Sequence, residues 1–213
     1  MWTHSAEPNG LAVWRETAPI CDHGGMRAAL VTHSSSLDHV APWHHPERPE
    51  RIVAAVEGAR ASDVEIIEVE ARAATRSELR AIHKESYLER IQRLSIEGGG
   101  SLDSDTYVSA ASWDAARFAA GAGITAVEAI EGGYADFGFA AVRPPGHHAE
   151  AARAMGFCLL NNVAVTAAAL VSRGSKVAVV DWDAHHGNGT QELFIGSPDV
   201  LYLSVHHAPF YPG

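Results

Sequence analysis

Residues 176–190 read KVAVVDWDAHHGNGT, and the opening KVAVV decides the fold. It is a continuous apolar run of strand length, the pattern of a parallel strand buried on both faces. Working outward, VLYLSV at 200–205 is the next such run, FGFAAV at 137–142 reads as a strand and MRAALVTH at 26–33 as a short apolar run of strand length, while residues 64–69 alternate as a strand does. Between these runs lie stretches with helical spacing. A helix starting near residue 51 carries Ile52, Val53, Ala55, Val56 and Ala59. Another over 77–94 carries Leu79, Ile82, Leu88, Ile91 and Leu94, with Ser77 as its expected N-cap and Gly98, Gly99 and Gly100 as its stop. Long Ala-rich stretches at 109–130 and 155–171 predict two more helices. Strands alternating with helices predict an α/β fold, a mainly parallel sheet flanked by helices.

The chemistry begins where KVAVV ends. Asp181, Asp183 and His185 stand at i, i+2 and i+4, which in an extended segment puts all three on one face. Ligands bind at the carboxyl ends of the strands in open α/β sheets. There Asp183 and His185 offer one oxygen and one nitrogen to a borderline cation such as Zn²⁺. A lone Asp-x-His reads as readily as a carboxylate-capped turn. The second Asp, the second His and the flanking glycines tip the reading toward a ligand set.

A second cluster follows the run at 137–142. In RPPGHHA, residues 143–149, two prolines and a glycine fix an irregular loop that presents His147 and His148 together. Adjacent imidazoles suit general acid–base work when each is oriented through its other nitrogen, and Asp181 and Asn188 are the natural orienters. On its own this motif would read as two surface histidines in a turn.

Composition limits the alternatives. Of 213 residues, 26 are acidic and 16 basic, a formal charge of −10, and no Lys/Arg stripe is present to release counterions from a nucleic acid. The acidic balance suits a cationic small substrate. The 13 histidines are an unusual share and point to a metal. Two cysteines, Cys21 and Cys158, are too few and too far apart for a disulfide framework or a thiolate zinc site, so a metal must be held by His and carboxylate. Cys158 reads as core packing. No apolar run approaches the roughly 18–20 residues of a membrane span, and no secretory signal is visible. The expectation is a soluble cytoplasmic protein without direct nucleic-acid or membrane binding, leaving a homo-oligomer open. Residues 1–25 mix aromatics, prolines and glycines without period and read as a tail before a domain over 26–213.

Four ordered motifs now carry a resemblance: RPPGHHA, GFCLLNNVAVTA at 156–167, VDWDAHHGNGTQ at 180–191 and YLSVHH…FYPG at 202–213, with HPERPERI near residue 45 in support. Together they resemble the histone deacetylase family, nearest its class II-like and bacterial members, the histone-deacetylase-like amidohydrolases and acetylpolyamine amidohydrolases. The resemblance implies zinc-dependent removal of acetyl groups from lysine side chains or polyamine-like amines. By its motifs, Asp183 and His185 are zinc ligands, His147 and His148 the tandem catalytic histidines, and Asp181 and Asn188 their orienting partners. Gly156 matches the backbone position that receives the acyl-lysine end, and Phe157 a wall of the aromatic tunnel. Tyr211 matches the opposite wall, with Phe210 as the alternative register. Asp181, Asp183, His185 and Ser204 match a monovalent-cation site, potassium in kind.

Two parts of the family pattern have no counterpart in these residues: a third zinc ligand, and the Tyr or His of a later Gly-Gly motif. The sequence is therefore expected to be an N-terminal portion whose complete parent is an enzyme, inactive when taken alone. It is expected to expose apolar residues near Leu201, Leu203 and Val205. A ureohydrolase of the arginase kind is disfavoured, because Gly187 stands where a bridging carboxylate would be. A catalytically dead acyl-amine binder, or an acetoin-utilisation-type protein, is the remaining alternative.

Overall fold

Residues 28–31 are all buried, and this apolar run makes β1 (Arg27–Thr32) the centre of a three-stranded parallel sheet ordered β2-β1-β5. The computed structural model describes residues 25–213, so the expectation about the N-terminal tail falls almost wholly outside the described residues. β2 (Glu65–Glu70) pairs one side of β1 from Arg27 opposite Glu65 to Thr32 opposite Glu70. β5 (Phe137–Ala140) pairs the other side, beginning with Ala28 opposite Phe137. A second parallel pair is formed by β6 (Val177–Asp181) and β7 (Val200–Ser204), with Val177 opposite Val200 and Asp181 opposite Ser204. Short antiparallel strands β3 (Gly99–Ser101) and β4 (Tyr107–Ser109) complete the strands.

Seven helices are described among these residues. They are α1 (Ser35–Asp38), α2 (Glu50–Arg60), α3 (Arg76–Arg80), α4 (Glu85–Ile96), α5 (Ser112–Glu131), α6 (Asn162–Ser172) and α7 (Asn188–Phe194). α5 joins two cores. Ala122, Ala126 and Ala129 lie against Ala29 and Val31 of β1. Ala116, Ala120 and Ile124 pack with Leu79, Leu88 and Ile91 and with Leu159, Leu160 and Val165. Leu79, Leu88 and Ile91 are fully buried, each worth roughly 1.5–3 kcal/mol against exposure.

The α/β fold with its parallel sheets is the one read from the sequence, but three elements differ. The helix expected over 77–94 is two helices. It begins earlier, with Thr75 closing a capping box with Glu78, and it breaks at 81–84. There His83 turns inward, its Nδ1 3.0 Å from the carbonyl of Glu150 and its Nε2 accepting from Asn161 N–H at 3.0 Å, while Lys84 N–H donates to the Ala151 carbonyl. Helical periodicity yields there to tertiary hydrogen bonds. The helix expected over 155–171 starts only at Asn162, capped by the Asn161 side chain accepting from Ala164 N–H at 3.1 Å. Gly156 and Phe157, at φ +56° and +69°, cannot continue a right-handed helix. Finally, the triple glycine ends α4 and then enters β3.

The β6–β7 pair is covered on one face only. Val179 and Val200 are buried with Ala167 of α6, whereas Val180, Leu201 and Leu203 are 53%, 57% and 48% exposed. Val205 is also exposed, and so is every residue of β5. KVAVV and VLYLSV, read as buried on both faces, are thus packed on one.

Candidate active site

Two strand ends build the site. Past β5 the chain turns through RPPGHHA, and Arg143 anchors that turn. Its guanidinium pairs with Glu47 through Nε to Oε1 and through Nη2 to Oε2 at 2.6 Å, and its Nη2 also donates to the carbonyl of His39 at 2.9 Å. Both partners are buried, and His39 lies against them with its Nδ1 2.7 Å from Ser112 Oγ. The HPERPERI stretch is therefore bolted beneath the histidine loop. His45 in the same stretch meets the Phe157 ring edge-on at 4.8 Å.

From this base the two histidines project side by side, ring centroids 4.0 Å apart. His147 Nδ1 lies 3.0 Å from Asp181 Oδ2, and His148 Nδ1 lies 2.9 Å from Asn188 Oδ1. Burial, then the neighbouring His147, lowers His148 to about 4, so its imidazole is neutral at pH 7. Burial alone would raise the Asp181 carboxyl. The hydrogen bonds it accepts from His147, Asp183 N–H and Tyr202 outweigh that and hold it below its ordinary value.

Past β6, Asp183 and His185 face one another with Asp183 Oδ1 3.2 Å from His185 Nδ1. Donors at about 2.0–2.1 Å around one tetrahedral cation are separated by roughly that distance, so the oxygen–nitrogen pair fits a zinc ion. Among the described residues no group of three or more His, Cys, Asp or Glu is gathered to hold a metal. Ser204 stands opposite Asp181 in the β6–β7 register, with its Oγ 3.0 Å from His206 Nδ1. Tyr211 reaches the centre, its ring 5.0 Å from His148 and 6.0 Å from His185, whereas Phe210 lies tilted against His207. A cleft of about 560 Å³ runs beside β6 and is lined by Pro145, His147, Asp181, Trp182 and Asp183, among others.

With this geometry, the sequence profile described as the histone deacetylase domain matches residues 45–213. The chain belongs to the histone deacetylase family. A probable deacetylase of Archaeoglobus fulgidus is 37% identical over 193 residues, covering 88% of this chain and 54% of the relative. The polyamine deacetylase HDAC10 of Homo sapiens is 38% identical over 205 residues, 88% of this chain and 30% of the relative. The crystal structure of the HDA15 HD domain matches with a TM-score of 0.78 at 42% identity, over 87% of this chain and 57% of that one. The chain spans little more than half of two of these relatives and less than a third of the other.

Within this family framework the structure adds Tyr202 and gives two glycines named from the sequence a steric reason. Tyr202 of β7 donates its hydroxyl to Asp181 Oδ2 at 3.2 Å. Gly187 sits so close that a Cβ there would lie 2.2 Å from Asp181 Oδ2 and 3.0 Å from His147 Nδ1, so a side chain would break the dyad. Gly156 combines left-handed backbone with a would-be Cβ 2.4 Å from His148 Cδ2. The Gly-x-Gly after the second histidine pair was the available signal for Gly187. Tyr202 opens the YLSVHH motif, but the motif does not show what its hydroxyl meets. Among the described residues no helix is long and apolar enough to cross a membrane.

Proposed function

We propose that the protein containing this chain is a zinc-dependent amidohydrolase that removes acetyl or related acyl groups from lysine side chains or polyamine-like amines. One observation carries the reading: two oriented histidines, at 3.0 Å and 2.9 Å from Asp181 and Asn188, stand beside an Asp183–His185 donor pair in a chain of the histone deacetylase family. Asp183 and His185 would hold the zinc, which when bound supplies carbonyl polarisation and a water acidified toward pKa about 7. Asp181 and Ser204, with Asp183 and His185, are proposed to hold a potassium ion.

The residues of this chain then divide the proton work. His148, kept neutral by burial, accepts a proton from the attacking water. Asp181 orients His147 through Nδ1 and stabilises a proton carried on that ring, so the pair can serve the departing amine. Phe157 and Tyr211 confine a slender acylated chain, which favours linear amines over bulky ones. The sequences named as deacetylases of polyamines and histones support both substrate kinds. Among the described residues there are two zinc donors where a catalytic site uses three, and no turnover is expected from them taken alone.

The test is zinc titration and hydrolysis of an acetyl-lysine peptide and an N-acetylated diamine by the whole protein. Asp183→Ala and His185→Ala should remove zinc binding and activity together. His148→Ala should keep zinc and lose hydrolysis by about a hundredfold or more. A wild-type protein that binds zinc yet cleaves neither substrate would favour the acyl-amine-binder reading, and the enzyme assignment would be withdrawn.

A further inference from the structure

Asn188 can stand in two orientations that differ only in which end of its amide carries the oxygen, and its neighbours must choose between them. In the structure its Oδ1 faces His148 Nδ1 at 2.9 Å, and its Nδ2 donates to Glu150 Oε1 at 3.1 Å and approaches Met155 Sδ at 3.4 Å. Turned over, the amide would aim its oxygen at a carboxylate and a thioether, two groups without a proton to give. His148 does not choose, because a neutral imidazole can donate or accept at Nδ1. The decision falls to Glu150.

We propose that Glu150 is a positioning residue: by fixing the Asn188 amide it fixes the tautomer of His148, with the proton on Nδ1 and a bare Nε2 left to receive a proton. Once Asn188 Oδ1 faces the ring, Nδ1 must carry the hydrogen. Neutral imidazole holds only one.

Glu150 is itself held. Its carbonyl receives His83 Nδ1–H, and this proton is in turn placed by Asn161 N–H, which occupies His83 Nε2. Its backbone N–H donates to the Arg153 carbonyl at 2.9 Å. The Asn161 side chain ties down the adjacent Ala149 carbonyl at 3.0 Å. A backbone proton at Asn161 is thus linked through the His83 imidazole, residue Glu150 and the Asn188 amide to the state of His148. The catalytic consequence rests on the deacylase reading above, whereas the tautomer can be read in the resting protein.

The experiment, on the whole protein, records the ring nitrogen shifts of His148 by long-range proton–nitrogen NMR, alongside kcat and KM for an acetyl-lysine peptide. Wild type should show the Nδ1–H form. Glu150→Lys replaces the acceptor with a donor, so the amide should turn over, the proton should move to Nε2, and kcat should fall about a hundredfold with KM little changed. Glu150→Gln can still present an oxygen and should behave as wild type. Adding Asn188→Asp to Glu150→Lys restores an acceptor to both neighbours and should return the Nδ1–H form and most of kcat. Glu150→Met, which removes the acceptor without adding charge, should give mixed tautomers and serves if the Lys variant does not fold. An unmoved tautomer in folded Glu150→Lys or Glu150→Met overturns the proposal, as does a moved tautomer with unchanged kcat. A moved tautomer in a protein whose wild type cleaves no acylated amine would uphold the positioning and remove the deacylase reading.

Discussion

The loop after β5 and the loop after β6 furnish the two halves of one site, yet they are held in opposite ways. Beneath the histidine loop, Arg143 and Glu47 are each 3% exposed and their polar atoms are met by side-chain and backbone partners. The donor side chains of Asp183 and His185 are 52% and 51% exposed, and their order comes from within their own turn: Asp181 Oδ1 accepts from Asp183 N–H at 3.1 Å, and Asp183 Oδ1 from His185 N–H at 2.8 Å. The half that carries His147 and His148 is thus set by the packing of distant segments. The half that carries Asp183 and His185 is set by local turn chemistry on a sheet packed on one face. The first should fail globally when disturbed and the second locally.

The sharpest way to break the comparison is to strip one partner from the buried pair. Arg143→Ala or Glu47→Ala should cost about 3–5 kcal/mol in denaturant unfolding, because the remaining charge is left without a partner in the interior. Arg143→Met with Glu47→Leu should recover most of that loss. If either single change costs no more than a surface pair does, the histidine loop is not held in the way described.

Acid should find the same buried half. Burial, then Arg143 and His45, lowers His39 to about 3, and burial lowers His83 to about 4, against 6.5 for a free imidazole. Both are neutral when folded, while the unfolded chain takes up protons below pH 6.5. Their stabilising contribution is therefore complete above pH 6.5 and is lost as pH falls toward 4 and below. Unfolding midpoints measured from pH 7 to 4 should drop. Replacing His83 with Gln, which can still bond Glu150 and Asn161, should flatten the slope.

Much of this was legible from sequence. The strands at 27–32, 177–181 and 200–204 announce themselves because apolar runs of strand length admit few other readings, and the paired residues of the site lie in motifs at strand ends. The break at 81–84 was not, because the leucines and isoleucines on either side keep helical phase while His83 answers to residues 150 and 161, far along the chain. β3 and β4 are three residues each, one of them glycine-rich, too short and too featureless to be read. Glu150 directly follows RPPGHHA and Tyr202 opens YLSVHH, yet neither motif shows what these side chains meet. Their roles exist only once the two loops meet.

The smallest effect should come from the seam between the halves. Tyr202→Phe removes one of several hydrogen bonds to Asp181, the His147 and Asp183 donors remaining. About 1 kcal/mol of stability should be lost. The Asp181 carboxyl, followed by carbon NMR, should titrate higher than in wild type. A loss as large as that of Arg143→Ala would mean that the β6–β7 side is as rigidly built as the other.

Cys158 lies fully buried between Phe157 and Leu159, its Sγ donating to the Gly156 carbonyl at 3.3 Å, and burial pushes its thiol far above the ordinary range. Such a thiol does not meet an alkylating reagent until the Gly156–Leu159 segment, a wall that borders the candidate site, parts from the core. With Cys21 changed to Ser the chain keeps a single sulfhydryl, and the pace at which iodoacetamide consumes it becomes a clock for how often that wall opens.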